Sequence, residues 1–150
     1  VKEVGAGISP SNAKQLEQAG IKWIEVAGRG GTNWASIEYA RNQSDFEQQV
    51  ASPFLNWGMD TAKLLPAISA NCPSLNLIGS GGVRDGLDIA RCIRLGACVT
   101  ALAQPFLAPA LESTEAVIKK IAILKEQLRW AMFLTGSKDL EALKKAKLEE

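Results

Sequence analysis

The chain has 150 residues, 47% of them hydrophobic and 22% charged, a composition that supports a buried core and excludes a disordered segment. Seventeen Lys and Arg against sixteen Asp and Glu leave a formal charge of +1, so no global field draws in nucleic acid or an anionic membrane, and any anion must be held locally. Histidine is absent, which removes Ser-His and Cys-His nucleophile systems, histidine metal ligands and the commonest general base from this stretch.

Helix and strand signals alternate, which predicts an α/β fold with a parallel sheet. Residues 1–4 read as a short strand closed by Gly5-Ala6-Gly7-Ile8. Ser9 is an N-cap with Pro10 at the first helical position; Ala13, Leu16 and Ala19 mark the buried stripe, and Gly20 stops the helix. Residues 21–27 form the next strand, with Trp23, Ile24 and Val26 packing on both faces, and run into Gly28-Arg29-Gly30-Gly31-Thr32. The polar stretch 33–56 is longer than most βα connections, which predicts a functional excursion or a partly disordered loop. Trp34 and Trp57 bracket it and are candidates to line a pocket. A helix starts near Asp60 or Thr61, with Pro66 expected to kink it or shift its start.

The most informative stretch is Leu75-Asn76-Leu77-Ile78-Gly79-Ser80-Gly81-Gly82-Val83-Arg84-Asp85-Gly86. A strand over 75–80 meets glycines that let the backbone approach an anion closely, and the N–H groups of Gly82 and Val83 are candidate phosphate donors, with Arg84 as a charged contact. The helix over 86–95 is expected to offer its N-terminus to the same anion; Leu87, Ile89, Ala90 and Ile93 form its apolar face and Gly96 its stop. A strand over 99–103 breaks at Gln104-Pro105-Phe106 into a short turn through Pro109. A long helix over 113–135 follows, with Val117, Ile121, Leu124, Leu128 and Ala131 predicted to lie on a sheet. A small charged helix over 137–148 closes the chain; Lys138, Lys144, Lys145 and Lys147 alternate there with Asp139, Glu141, Glu149 and Glu150 as a solvated face.

Four βα units are about half of a (β/α)₈ barrel, whose usual length is about 250 residues. Residues 1–150 therefore read as one unit, the C-terminal half of a TIM barrel, whose cut strand edges favour self-association into a homo-oligomer. In such barrels the loops after strands seven and eight, with the N-terminus of a short extra helix, form a phosphate site. Lys2 sits beside a strand end, where it either stabilises negative charge on a flavin or enolate or pairs with Glu3 or Glu25. Thr32 brings a hydroxyl to the same rim. Cys72, Cys92 and Cys98 form no CxxC and read as small core residues. No apolar run approaches the roughly 20 residues needed to span a bilayer, so no membrane contact and a cytoplasmic location are expected.

Val1-Lys2-Glu3-Val4-Gly5, Gly28-Arg29-Gly30-Gly31-Thr32-Asn33-Trp34, Asn56-Trp57-Gly58, Ser80-Gly81-Gly82-Val83-Arg84-Asp85-Gly86-Leu87-Asp88 and Ala103-Gln104-Pro105-Phe106-Leu107 resemble, in order and spacing, the C-terminal half of type 2 isopentenyl-diphosphate isomerases. The resemblance covers nearly the whole chain, and Leu134-Thr135-Gly136 also fits. It implies a cytoplasmic FMN-dependent barrel enzyme of isoprenoid synthesis that interconverts isopentenyl and dimethylallyl diphosphate, with Mg²⁺ and NADPH as a reducing nicotinamide cofactor and reduced flavin in the proton transfers. By the same resemblance Lys2 lies against the flavin ring, and Ala27 and Thr32 touch the flavin. Gly81, Gly82, Val83 and Arg84 hold the FMN phosphate together with Leu102, Ala103 and Gln104. The family's metal-binding Glu, its neighbouring Gln and its basic diphosphate grip lie upstream of this stretch. No catalytic or metal-ligating residue is assigned here, and the stretch by itself is expected to be inactive. Ala27 stands where the family often has serine, leaving only backbone contact there.

Three other readings compete. FMN-dependent 2-hydroxy-acid oxidases resemble the chain around Gly81-Gly82 but carry a histidine base where this chain has Gly28-Arg29-Gly30. Inosine-monophosphate dehydrogenases need a nucleophilic loop cysteine, whereas the three cysteines here fall near helix or strand ends. A non-catalytic half-barrel module that dimerises around a phosphorylated ligand is the reading outside enzymes.

Overall fold

The computed structural model describes residues 1–148; Glu149 and Glu150, placed above on the charged terminal face, lie outside the described residues. Three short strands, β1 (Trp23–Glu25), β2 (Asn76–Gly79) and β3 (Val99–Thr100), form one parallel sheet in the order β1-β2-β3. Ahead of them Lys2 bridges in parallel to Glu25, so four segments lie side by side in chain order. The register runs Lys2, Glu25, Ile78, Val99 across this row.

Parallel neighbours require a crossover between successive strands. Helix α1 (Pro10–Gln18) returns the chain to β1, α4 (Thr61–Asn71) returns it to β2, and α5 (Gly86–Arg94) returns it to β3. Ile24, Val26 and Leu77 on one face of the sheet join Leu64, Leu65 and Ile68 of α4 and Ala13 of α1 in the main core. Full burial of such a side chain stabilises by about 1.5–3 kcal/mol. The opposite face is open: Trp23 is 48% and Val99 47% exposed. α1 and α5 start and stop close to where the sequence placed them; Ser9 caps α1 as expected, accepting the Asn12 N–H, and Asp85 caps α5 by accepting the Asp88 N–H.

Several expectations change. The stretch 33–56 is not a loop but α2 (Trp34–Arg41), α3 (Asp45–Ala51) and a 3₁₀ turn (Ser52–Phe54). Asn33 and Ser44 start the two helices by accepting the N–H of Ser36 and Glu47, a signal present in the sequence but masked by its polarity. The expected turn at 105–109 is α6 (Gln104–Glu112), which tolerates Pro105 because a first-turn residue has no intrahelical N–H bond to lose. α4 begins after Asp60 and continues through Pro66 to Asn71. The long helix α7 (Thr114–Leu134) packs on α5 and α6 rather than on the sheet, and Ile121 of its expected apolar stripe is 45% exposed. Ala19 and Leu87 are exposed as well: Ala19 is the C-cap of α1, and Leu87 occupies the first turn of α5. The terminal helix α8 is only Leu140–Leu143.

Candidate functional site

The loops that leave the C-terminal ends of these strands meet at one rim, and main-chain contact requires their glycines. A Cβ on Gly81, at φ +99°, would lie 2.1 Å from the Gly28 carbonyl oxygen and 2.6 Å from Thr61 Oγ1. One on Gly82 would lie 2.3 Å from the Gly30 oxygen. Thr61, at the start of α4, donates its buried hydroxyl to the Ser80 carbonyl at 2.6 Å, and Ser80 Oγ accepts the Ala27 N–H at 3.1 Å. Among the described residues Ala27 is the one non-glycine with a left-handed backbone, φ +39°. That conformation costs about 1–2 kcal/mol and persists because the Ser80 bond and close packing hold it. Ser80 and Thr61 were not candidates from the sequence. Nothing in their spacing distinguishes them from ordinary hydroxyls.

The main-chain donors near this rim differ in what they meet. The N-terminus of α5, expected to face the anion, has most of its donors already bonded within the protein. Asp85 Oδ1 accepts the Asp88 N–H at 2.8 Å, Asp88 Oδ2 accepts the Arg84 N–H at 3.1 Å, and Gln127 Oε1 on α7 accepts the Gly86 N–H at 2.9 Å. Of its first-turn donors only the Leu87 N–H meets no protein acceptor among the described residues, and two carboxylates stand beside it, an arrangement that repels a second anion. One step earlier, the N–H groups of Gly82 and of buried Val83 meet no protein acceptor among the described residues. On the next strand, α6 begins at the N-cap Ala103 without a side-chain cap, leaving the N–H groups of Ala103 and Gln104 likewise without an acceptor. Because Gly79 pairs with Thr100, Gly82 and Ala103 lie equally far beyond a paired position on adjacent strands. Main-chain donors on two loops, one set at an uncapped helix N-terminus, are a donor set that a phosphate group fits.

The remaining candidates lie on the same row of strands and on the loops that follow them. Arg84 is exposed and reaches across to the Gly30 carbonyl at 3.3 Å, so it ties the two glycine loops together. Leu102 packs its side chain against the main core, leaving only its backbone to the rim. Lys2 pairs with Glu25, not Glu3. The Glu3 carboxylate instead accepts the N–H groups of Gly5, Ala6 and Gly7 at 2.6, 2.7 and 2.7 Å and so shapes the first rim loop. Desolvation raises the Glu3 pKa, but the backbone N–H groups of Gly7, Val4, Gly5 and Ala6 outweigh it and hold the carboxyl below its ordinary value. Thr32 is exposed, and its carbonyl lies against this loop, 2.5 Å from where a Gly5 Cβ would stand. Arg29 pairs with Asp60 at 2.8 Å and donates to the Asn56 carbonyl at 2.8 Å, which anchors the Asn56-Trp57-Gly58 segment.

Beside the Glu3 loop lies a cavity of about 470 Å³ whose walls include Val4, Asn33, Trp34, Phe54 and Trp57. Both bracketing tryptophans do line a pocket. Phe54 and Trp57 stack obliquely there, their centroids 6.1 Å apart. The thiols offer no nucleophile at this rim: Cys72 and Cys92 are buried, and burial, with Asp88 nearby, pushes Cys92 up to about 11. Among the described residues no three His, Cys, Asp or Glu cluster as a metal site, and no helix is long and apolar enough to cross a membrane.

The family model for FMN-dependent dehydrogenases matches residues 1–150. The chain belongs to the FMN-dependent dehydrogenase family. It is 47% identical over 148 residues to an isopentenyl-diphosphate delta-isomerase of Stutzerimonas stutzeri, covering 99% of this chain and 43% of that protein. The same holds for its namesake in Cronobacter sakazakii, and a Rickettsia bellii relative of the same name is 40% identical over 148 residues. The chain thus spans less than half the length of these relatives. Among solved structures, a putative lactate oxidase of Pediococcus acidilactici superposes with TM-score 0.71 at 21% identity, over 98% of this chain and 36% of that one. A mandelate oxidase gives 0.72 at 21% identity, over 99% and 37%. At that identity they share a fold with this chain, the TIM-barrel fold of the family.

Proposed function

We propose that residues 1–150 are the C-terminal half of a TIM barrel and supply its FMN phosphate side, in a protein that interconverts isopentenyl and dimethylallyl diphosphate. The observation that carries the binding reading is the set of main-chain N–H groups at Gly82, Val83, Ala103 and Gln104 that meet no protein acceptor on adjacent strand tips. These groups, with Gly81, Leu102 and Arg84 shaping the loops, would hold the phosphate. Lys2, oriented by Glu25, Ala27 through its backbone, and Thr32 would face the rest of the cofactor. FMN, when bound, supplies proton-donor and acceptor chemistry that this histidine-free stretch lacks. The choice of isomerase over oxidase is supported by 40–47% identity to proteins named for the former, against 21% to structures of the latter. Gly28-Arg29-Gly30, where the oxidases carry their histidine base, agrees with that choice.

The open sheet face, with Trp23 and Val99 half exposed, suits closure by an upstream barrel half. Mg²⁺, NADPH and the diphosphate grip belong to that half in this reading, as does the remainder of the active site; a cytoplasmic homo-oligomer is the form proposed. The test uses the full-length gene product. FMN should bind with quenched flavin fluorescence and at least tenfold more tightly than riboflavin, which lacks the phosphate. With FMN, Mg²⁺ and NADPH, isopentenyl diphosphate should convert to its isomer, while residues 1–150 alone should not convert it. A full-length protein that retains FMN but leaves isopentenyl diphosphate unchanged would overturn the isomerase assignment.

A further inference from the structure

We infer that Gln127, on the outer helix α7, is a positioning residue for the anion cradle; the inference rests on the phosphate reading above and extends it to a residue outside the strand-tip loops. The turn from Val83 to Asp88 is braced internally by carboxylates: Asp88 Oδ2 on the Arg84 N–H, and Asp85 Oδ1 on the Asp88 N–H. Arg84 links it to the Gly30 loop. On its outer side, among the described residues, the hydrogen bond that joins it to another helix is the one from the Gly86 N–H to Gln127 Oε1, at 2.9 Å across 41 residues of chain.

That contact is built closely. A Cβ on Gly86 would lie 2.3 Å from Gln127 Cβ, 2.6 Å from the Leu124 carbonyl oxygen and 2.6 Å from the Leu128 nitrogen, so α5 can start only where α7 admits a bare backbone. Gly86 is buried, and its N–H is one of the first-turn donors that no intrahelical carbonyl can satisfy. The acceptor is a neutral amide. A third carboxylate here, next to Asp85 and Asp88, would add negative charge beside a site that must hold an anion. Gln127 thus fixes where α5 begins, and through Gly86 the orientation of the Gly82 and Val83 N–H groups a few residues before it.

The test compares FMN with riboflavin, which differ only by the terminal phosphate, on the full-length protein by flavin fluorescence titration. Gln127→Met keeps an unbranched side chain of similar length and removes the carbonyl acceptor. It should weaken FMN binding by on the order of tenfold, because the Gly82 and Val83 N–H groups are no longer held in place before the phosphate arrives, and leave riboflavin binding within about twofold. Leu128→Ala, which thins the packing of α7 on α5 without touching this bond, should lower the melting temperature and leave the FMN-to-riboflavin ratio unchanged. Gln127→Leu repeats the measurement if the Met variant does not fold. Unchanged FMN affinity in the Met or Leu variant, or equal loss of both flavins, overturns the inference. A wild-type protein with no preference for FMN over riboflavin removes the phosphate reading itself, and this inference with it.

Discussion

Replacing Gly81 with alanine tests whether the rim glycines serve close backbone approach or only turn geometry. At φ +99° a new Cβ meets the Gly28 carbonyl oxygen at 2.1 Å and the Thr61 hydroxyl at 2.6 Å, and backbone atoms cannot rotate away as a side chain would. The left-handed backbone costs about 1–2 kcal/mol. Overpacking adds about 1–3 kcal/mol. Displacing Thr61 loosens its bonds to the Ser80 and Gly81 carbonyls, worth about 1 kcal/mol each. We expect about 4–7 kcal/mol in all, a large fraction of the roughly 5–15 kcal/mol that stabilises a typical domain. Gly20→Ala is the matched control: its φ is +89°, but no heavy atom lies within 4 Å of the new Cβ, so only the backbone cost of about 1–2 kcal/mol remains. Urea unfolding followed by tryptophan fluorescence on both variants of the full-length protein gives the two midpoints. Equal losses for the two substitutions would refute the argument that close approach at the rim demands glycine.

Two further outcomes follow from the same geometry. Because the folded-state pKa of Glu3 is depressed, its stabilisation is fully present above the ordinary value of 4.5 and is lost as pH falls through the folded value. Glu3→Gln should therefore flatten the acid limb of a stability-against-pH curve below about pH 5 while changing its slope near pH 7 very little, as read by urea midpoints at each pH. Iodoacetamide labelling at pH 8 with peptide mapping should modify exposed Cys98 in the native protein and reach buried Cys72 and Cys92 only after unfolding; rapid native labelling of Cys92, with its thiol at about 11, would contradict the packing described.

Most element types were legible in the chain itself, because they depend on local chemistry. Ser9-Pro10, Asp85 and Ser113 announce helix starts through side chains that bond within the same turn, and Gly20 and Gly96 announce stops through backbone freedom. The alternation of Ile24 and Val26, and the glycines after Leu77, placed two strands and their anion-friendly tips. What local chemistry misjudged was polarity and proline: α2 and α3 are polar helices with no buried residue to mark an inner face, and Pro105 in a first turn starts a helix as readily as it breaks one.

The sequence by itself therefore determined the α/β class, the glycine-rich strand tips and the family resemblance, all of which rest on residues near one another in the chain. Which donors remain open to an anion was decided only by the tertiary structure. Asp85, Asp88 and Gln127 take up the Asp88, Arg84 and Gly86 N–H groups at the start of α5, while Ala103 leaves α6 uncapped on the neighbouring strand. A hydrogen-bond partner 41 residues away leaves no local signature, so the Gly86 N–H reads as open to an anion in sequence and is taken by Gln127 in the fold.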